Sequence, residues 1–230
     1  EYYDQDTSDP HQLKAAVDPN GARTEYAYYL PSDTFPGEGG GVSVQNHEEY
    51  AKEVREFPDG TTTIKTKFGY DVSEWPQIRW KTTVKDGRDN PTLYVLNGNG
   101  SPLRIEEMPG TPDVRVTQMQ WSGTDIYKTQ ETDANLRVTD YDYDANGNLK
   151  TETIHTADLG DAVTRYEYDQ TFNKLKKKTD AENRVTEYVI HPVRGDVESV
   201  KDAELNVTGY DYDSVGRLIG VTSPRGFETG

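Results

Sequence analysis

The chain reads as an all-β protein made of tandem antiparallel β-hairpins, and three features of its 230 residues predict this. A Thr followed at alternate positions by two bulky residues recurs along the chain. An Asp stands eight positions before the first Tyr in Asp18/Tyr26, Asp86/Tyr94, Asp133/Tyr141, Asp158/Tyr166, Asp180/Tyr188 and Asp202/Tyr210. Short runs of Asp, Asn and Gly separate the alternating segments, the composition of tight turns. A fixed period of this kind marks a repeat architecture.

The outgoing strand of each unit comes first. It appears as TEYAY from Thr24 (Thr24, Tyr26, Tyr28), TKFGY from Thr66, TLYVL from Thr92, TQMQW from Thr117 and TDYDY from Thr139 (Thr139, Tyr141, Tyr143). It returns as TRYEY from Thr164 (Thr164, Tyr166, Tyr168), TEYVI from Thr186 (Thr186, Tyr188) and TGYDY from Thr208 (Thr208, Tyr210, Tyr212), the last three Thr standing 22 residues apart. Thr139, Tyr141 and Tyr143 share one face while Asp140, Asp142 and Asp144 take the other, the alternation of a half-buried strand and not of a helix.

A turn follows the second bulky residue. Asp144-Ala145-Asn146-Gly147 and Asp213-Ser214-Val215-Gly216 place Asp first and Gly last, so Gly147 and Gly216 are the expected turn glycines. A return strand comes next, Leu149 to Thr156 or Leu218 to Thr222, and a second Asp-led turn such as Asp133-Ala134-Asn135 or Asp180-Ala181-Glu182-Asn183 opens the next unit. Two copies depart from the pattern, at Gln170-Thr171-Phe172-Asn173 and at His191-Pro192, where bulges or looser turns are expected. Residues 31–46, with Gly37 to Gly41, break the rhythm and read as an exposed loop or an insertion between repeats. Pro58-Asp59-Gly60-Thr61 and Asn97-Gly98-Asn99-Gly100 are further turn signals.

Composition alone points elsewhere. A hydrophobic content of 32% with a net charge of −16 lies toward the disordered range. The 16 Tyr and 3 Trp reverse that reading, because large rings supply buried area while tolerating a wet edge. An isolated hairpin is marginal in water, so each unit must lean on its neighbours, with Tyr, Thr and Leu forming ladders across one face of a long sheet.

Several function classes fall away. There is no Cys, and His11, His47, His155 and His191 show no ligand-like spacing, so no cofactor or metal is expected. The N-terminus has neither a basic nor an apolar leader region, and no apolar run is long enough to span a bilayer, so no membrane contact is expected from this segment. An excess of 41 acidic over 25 basic residues repels phosphate backbones, so nucleic acid is not an expected partner, and Lys174, Lys176, Lys177 and Lys178 read as a solvated strand or turn. Asp142-Tyr143-Asp144-Ala145-Asn146-Gly147 fits the first half of a calcium loop, but position 12 is Thr153 and not Glu, so a plain hairpin turn is the better reading. Carboxylate pairs such as Asp140/Asp142 or Glu106/Glu107 read as a solvated face and not as an acid and base, and the chain is not expected to be an enzyme.

TDYDYDANGNL (Thr139 to Leu149), TRYEYDQTFNKL (Thr164 to Leu175) and TGYDYDSVGRL (Thr208 to Leu218) resemble the YD repeat, also called the Rhs repeat. The resemblance covers nearly all of residues 1–230 and is sharpest from Thr132 to Pro224. Such repeats occur in bacterial polymorphic toxins, the B and C components of insecticidal toxin complexes, wall-associated proteins and teneurins. The resemblance implies a sheet strip curved into a spiral, hollow shell. It also implies that this chain is one continuous repeat region within a longer protein, secreted or at a cell surface and bacterial in origin. Its partners would be the rest of the shell and an enclosed polypeptide such as a C-terminal toxin domain. The Asp-Pro-x-Gly-Leu core at which several members cleave themselves has no match here. The alternative is an adhesion module that binds surface carbohydrate or a partner protein through its aromatic strand faces, with Trp75, Trp80 and Trp121 joining the tyrosines.

Overall fold

The structure, a computed structural model, describes residues 13–29, 34–35, 50–58, 63–72, 80–157 and 159–229. Among the described residues there are eighteen β-strands and no helix, and every registered strand pairing is antiparallel. The chain divides into two compact units, Glu1–Met119 and Gln120–Gly230.

In the first unit β1 (Ala15–Val17), β2 (Arg23–Tyr28), β3 (Ala51–Phe57), β4 (Ile64–Asp71), β5 (Trp80–Lys85), β6 (Pro91–Leu96), β7 (Pro102–Glu107) and β8 (Arg115–Trp121) pair in succession, each with the next in the chain. The last two residues of β8 fall in the second unit. There β9 (Lys128–Thr132), β10 (Val138–Tyr143), β11 (Leu149–Ile154), β12 (Ala162–Tyr168) and β13 (Leu175–Thr179) form the same meander. It continues through β14 (Val185–Ile190), β15 (Val197–Lys201), β16 (Val207–Tyr212), β17 (Leu218–Thr222) and β18 (Glu228–Thr229).

Seven Asp-led turns follow one design. Asp144 accepts from the backbone N–H of Asn146 at 2.8 Å and of Asn148 at 2.9 Å, while the Gly147 N–H closes the turn on the Asp144 carbonyl. Asp18, Asp86, Asp133, Asp180, Asp202 and Asp213 accept the same pair of N–H groups, two and four residues on. The fourth residue of each turn takes a positive φ, as a three-residue hairpin loop requires. Gly21, Gly147 and Gly216 do so without strain, but Leu136 (φ 63°) and Leu205 (φ 68°) stand in the same place, 81% and 70% exposed. Asn183 occupies the equivalent position at φ 62°. Leu136→Asn is therefore expected to stabilise the chain by roughly 0.5–1 kcal/mol, because Asn tolerates this backbone and Leu does not. A urea midpoint that stays put or falls, at constant m-value, counts against this.

Six hairpins also carry a bulge just after the return strand begins. Tyr143 faces Leu149 while Asp142 faces Thr151, so Lys150 has no opposite number. Lys52, Leu103, Lys176, Glu198 and Ile219 occupy the same place in their hairpins. An extra residue bends its strand and increases the local twist, so the repeat builds the same bend into each of these hairpins.

The two irregular turns are wider, as expected. At both, a five-residue loop closes from the fifth N–H to the first carbonyl: Asn173 to Asp169 and Gly195 to His191. Asn173 supplies the positive φ that Gly supplies elsewhere. His191 takes the Asp role, its Nδ1 accepting the N–H of Val193 and of Arg194, both at 3.1 Å. The Pro58–Thr61 turn is described only at Pro58, and Asp158 and Trp75 also lie outside the described residues. Of the segment 31–46 only Thr34 and Phe35 are described, and Phe35 corrects the exposed-loop expectation at its position, since it is 4% exposed. A large ring beside a sheet rich in Tyr buries itself wherever a pocket of rings will take it.

Candidate functional site: tyrosine latches and a laced rim

The first tyrosine of each repeat lies half-buried on the sheet. Tyr26 faces Val54, Tyr141 faces Glu152, Tyr166 faces Lys178, Tyr188 faces Val200 and Tyr210 faces Val221. The repeat threonines sit across from equally mixed partners: Thr24 from Glu56, Thr139 from Ile154, Thr164 from Glu152, Thr186 from Lys178 and Thr208 from Val200. The rungs are thus not Tyr on Tyr. They alternate rings with aliphatic stems, and Lys128 and Lys178 lay their ammonium groups over the Tyr141 and Tyr166 rings at 4.6 and 5.9 Å.

The second tyrosine does something the sequence pattern did not reveal. Its hydroxyl reaches into the preceding hairpin and donates to a backbone carbonyl: Tyr28 to Leu13 (3.1 Å), Tyr70 to Ala51 (3.2 Å), Tyr143 to Lys128 (2.9 Å), Tyr168 to Leu149 (3.0 Å) and Tyr212 to Val197 (3.2 Å). Ala51, Leu149 and Val197 are the residues immediately before the bulged Lys52, Lys150 and Glu198. The latch therefore grips the strand where the extra residue interrupts its ladder. Burial raises the Tyr70 phenol to about 12, and raises Tyr143 and Tyr168 as well, so these hydroxyls keep the proton they donate.

In the second unit the hairpin tips are also tied to one another. The Tyr127 ring crosses Gly147 in the next tip and stacks on Tyr143 at 4.8 Å, and no Cβ could stand at Gly147 without displacing it. Asn148 and Asn173 pair their side-chain amides reciprocally, at 2.6 and 3.0 Å. Phe172 lies on Gly195, where an added Cβ would come within 2.7 Å of its ring. Tip joins tip from residue 122 to residue 196 through groups that local turn rules do not call for.

The first unit gathers its rings instead. Phe35 is enclosed by Tyr29, Tyr50, Tyr70 and Trp80, with centroids 5.0 to 6.3 Å away. Ala15, Val72 and Val95 are the other buried hydrophobic residues, so among the described residues of the second unit no hydrophobic side chain is buried. That unit is a single layer, held by its ladders, latches and tips.

The other face of the strands is polar. Glu167 faces Lys177, Lys177 faces Glu187, and Glu187 faces Lys201, an alternating charge ladder across four strands with contacts of 3.2 Å at Glu167–Lys177 and Glu187–Lys201. Lys176, Lys177 and Lys178 lie on strand β13 and Lys174 just before it; Lys174 and Lys176 are exposed, while Lys177 and Lys178 are half-buried. The carboxylates of the would-be calcium loop are engaged in structure: Asp142 with Lys150, and Asp144 with its turn and the Asn148 amide. That side-chain amide, then the Asn148 backbone N–H, hold the Asp144 carboxyl below its ordinary 3.8, so this turn contribution is present at neutral pH and is lost as pH falls through that lowered value.

One polar chain runs through Gln120, Gln130, Asp140, His155 and Asp161. His155 donates from Nε2 to Asp140 at 2.7 Å and from Nδ1 to Asp161 at 3.0 Å, which only the imidazolium can do at once. The hydrogen bond to Asp140, then that to Asp161, raise its pKa above the ordinary 6.5. The clamp is complete below 6.5 and is lost as pH rises through the raised value. NMR titration is expected to place the His155 midpoint above 6.5 and Asp140→Asn to lower it; a midpoint at or below 6.5 in the native chain contradicts the clamp.

No protein-family model matches the chain, and no curated protein does. Solved structures match in fold. The TcdB2-TccC3 structure without its hypervariable C-terminal region is 15% identical, with a TM-score of 0.61 over 92% of this chain. TcdB2-TccC3-TEV is 16% identical, with a TM-score of 0.63 over 94%. The Photorhabdus luminescens Tc holotoxin pore with a substituted TccC3 is 14% identical, with a TM-score of 0.62 over 92%. This chain spans only 11% of each of those chains. The fold is theirs: tandem antiparallel hairpins in a continuing meander.

Proposed function

We propose that this chain is a stretch of shell wall in a YD-repeat protein, a non-catalytic sheet that shields an enclosed polypeptide such as a toxin domain. The lacing of hairpin to hairpin carries this reading. Tyrosine hydroxyls cross from the hairpins of Tyr143, Tyr168 and Tyr212 to the one before, and tip side chains join along the rim, so these units resist sliding and peeling even where no core lies beneath them. The YD-like repeats and the fold shared with the TcdB2-TccC3 structures support the same conclusion. On this reading the partners are the adjoining repeats and the guest chain, and the parent is a secreted bacterial toxin component.

Two measurements test it. In the parent protein, the guest segment is expected to resist protease while the wall is intact and to be cut when residues 120–229 are deleted; equal cleavage in both would sink the shielding role. On a glycan array the chain is expected to show no saturable binding. Specific binding abolished by Tyr141→Ala and Tyr210→Ala would establish the adhesion reading instead.

A further inference from the structure

The polar chain that ends at His155 crosses several strands, and one proton decides how much of it holds. Gln120 on β8 donates to Gln130 on β9 at 2.8 Å, and Gln130 donates to Asp140 Oδ1 on β10 at 2.8 Å. Asp140 Oδ2 and Asp161 Oδ1 take the two ring nitrogens of His155. His155 follows the last residue of β11, and its backbone N–H donates to the Val138 carbonyl at 2.9 Å, so the ring hangs from a fixed point. Asp161 stands just before β12, whose Ala162 faces Ile154. The neighbouring turns on this rim, led by Asp133 and Asp180, close on themselves through that Asp. Between β11 and β12 the His155 ring spans the base of the connection, from its first residue to its last. Asp140 and Asp161 are the charged groups that act on the ring. The next ones on this face, Asp142 with Lys150 and Arg165, stand two residues further along their strands than Asp140 and Val163.

We propose that His155 is a pH-operated fastener of the β11–β12 connection: on losing its proton it keeps Asp140 as the Nε2–H tautomer and lets go of Asp161, so the entry to β12 is held in acid and freed at alkaline pH. The imidazolium donates from both nitrogens, whereas the neutral ring has one donor and one acceptor and cannot serve two carboxylates. The bond that survives is the one to Asp140. It is the shorter, at 2.7 against 3.0 Å, and Asp140 is already fixed through its other oxygen by Gln130. Hydrogen bonds from His155, then from Gln130, hold the Asp140 carboxyl below its ordinary 3.8, so it stays ionised as the ring titrates. Nδ1 is then left with a lone pair facing the Asp161 carboxylate, and the two repel. The proton goes to water, since ring and carboxylates are all partly exposed. The switch is therefore local to one rim and needs no ligand.

The test is NMR of the native chain on either side of the His155 midpoint. Long-range proton–nitrogen spectra tell the imidazolium from each neutral tautomer, and amide exchange at Ala162 and Val163, corrected for the rise of the intrinsic rate with pH, reads the fastening. The neutral ring is expected in the Nε2–H form, with corrected exchange rising several-fold as the proton leaves. Asp161→Asn is expected to abolish that rise, because the new side-chain amide donates to the neutral Nδ1 that the carboxylate repelled. Asp161→Ala is expected to exchange fast on both sides of the midpoint. His191 follows β14 at the opposite rim, so its own titration does not enter this readout. An Nδ1–H tautomer in the neutral ring, corrected exchange without a step, or a step that persists in Asp161→Asn would each overturn the proposal.

Discussion

Gly195→Ala is expected to lower stability by about 2–4 kcal/mol, the range of a steric insertion at a strained backbone position. Gly195 is buried at φ +77°, so any side chain there first meets the left-handed penalty of about 1 kcal/mol. The new Cβ also falls 2.7 Å from Cγ and Cδ1 of Phe172, atoms at the base of the ring that cannot swing aside as a side-chain tip would. Phe172 must then leave the tip it covers. Gly216→Ala is the control: φ is +83°, but nothing lies within 4 Å, so about 1 kcal/mol is expected. Phe172→Ala placed on Gly195→Ala should recover part of the loss, a coupling that a double-mutant cycle reads directly. Equal losses at Gly195 and Gly216 would mean that the rim contact contributes nothing.

Removing the latch hydroxyls gives the second large effect. Tyr143→Phe, Tyr168→Phe and Tyr212→Phe each delete one partly buried hydrogen bond to a carbonyl of the preceding hairpin, at a cost of about 1 kcal/mol each. The three sites serve different strand pairs, so the triple variant is expected to lose about 3 kcal/mol. Tyr188→Phe removes the same atom from a first-position tyrosine and is expected to change stability by less than about 0.5 kcal/mol. Urea unfolding of the four variants decides between latch and cover: a loss at Tyr188 as large as at Tyr168 would mean that position in the repeat does not matter.

Much of the fold was legible before the structure. The strands over Thr139–Tyr143, Thr164–Tyr168 and Thr208–Tyr212 were found because alternation with period two needs only five residues to show itself. The turns at Asp144–Gly147 and Asp213–Gly216 were equally plain, since Asp and Gly each have a local reason to be there. The strained Leu136 and Leu205 were not anticipated, because nothing in a Leu announces a positive φ; the signal available was their alignment with Asn183. His191 as a stand-in for Asp was missed for a similar reason, its Nδ1 doing the work of a carboxylate oxygen only in one ring orientation.

The sequence by itself determined where the strands lie, which residues share a face and where the chain turns, because each of these is settled within one turn or one strand by sterics and short-range hydrogen bonding. It also carried the period that makes neighbouring units alike. Only the tertiary structure decided which tyrosine bonds and which merely covers. The carbonyl that Tyr168 reaches is 19 residues away, and it is offered only once a bulge has bent that strand. The Asn148–Asn173 pair and the fit of Phe172 to Gly195 likewise join residues on separate tips, brought together by strand spacing and twist. A repeat specifies its own hairpin; how hairpins fasten to each other depends on the angle at which each bulge sets the next.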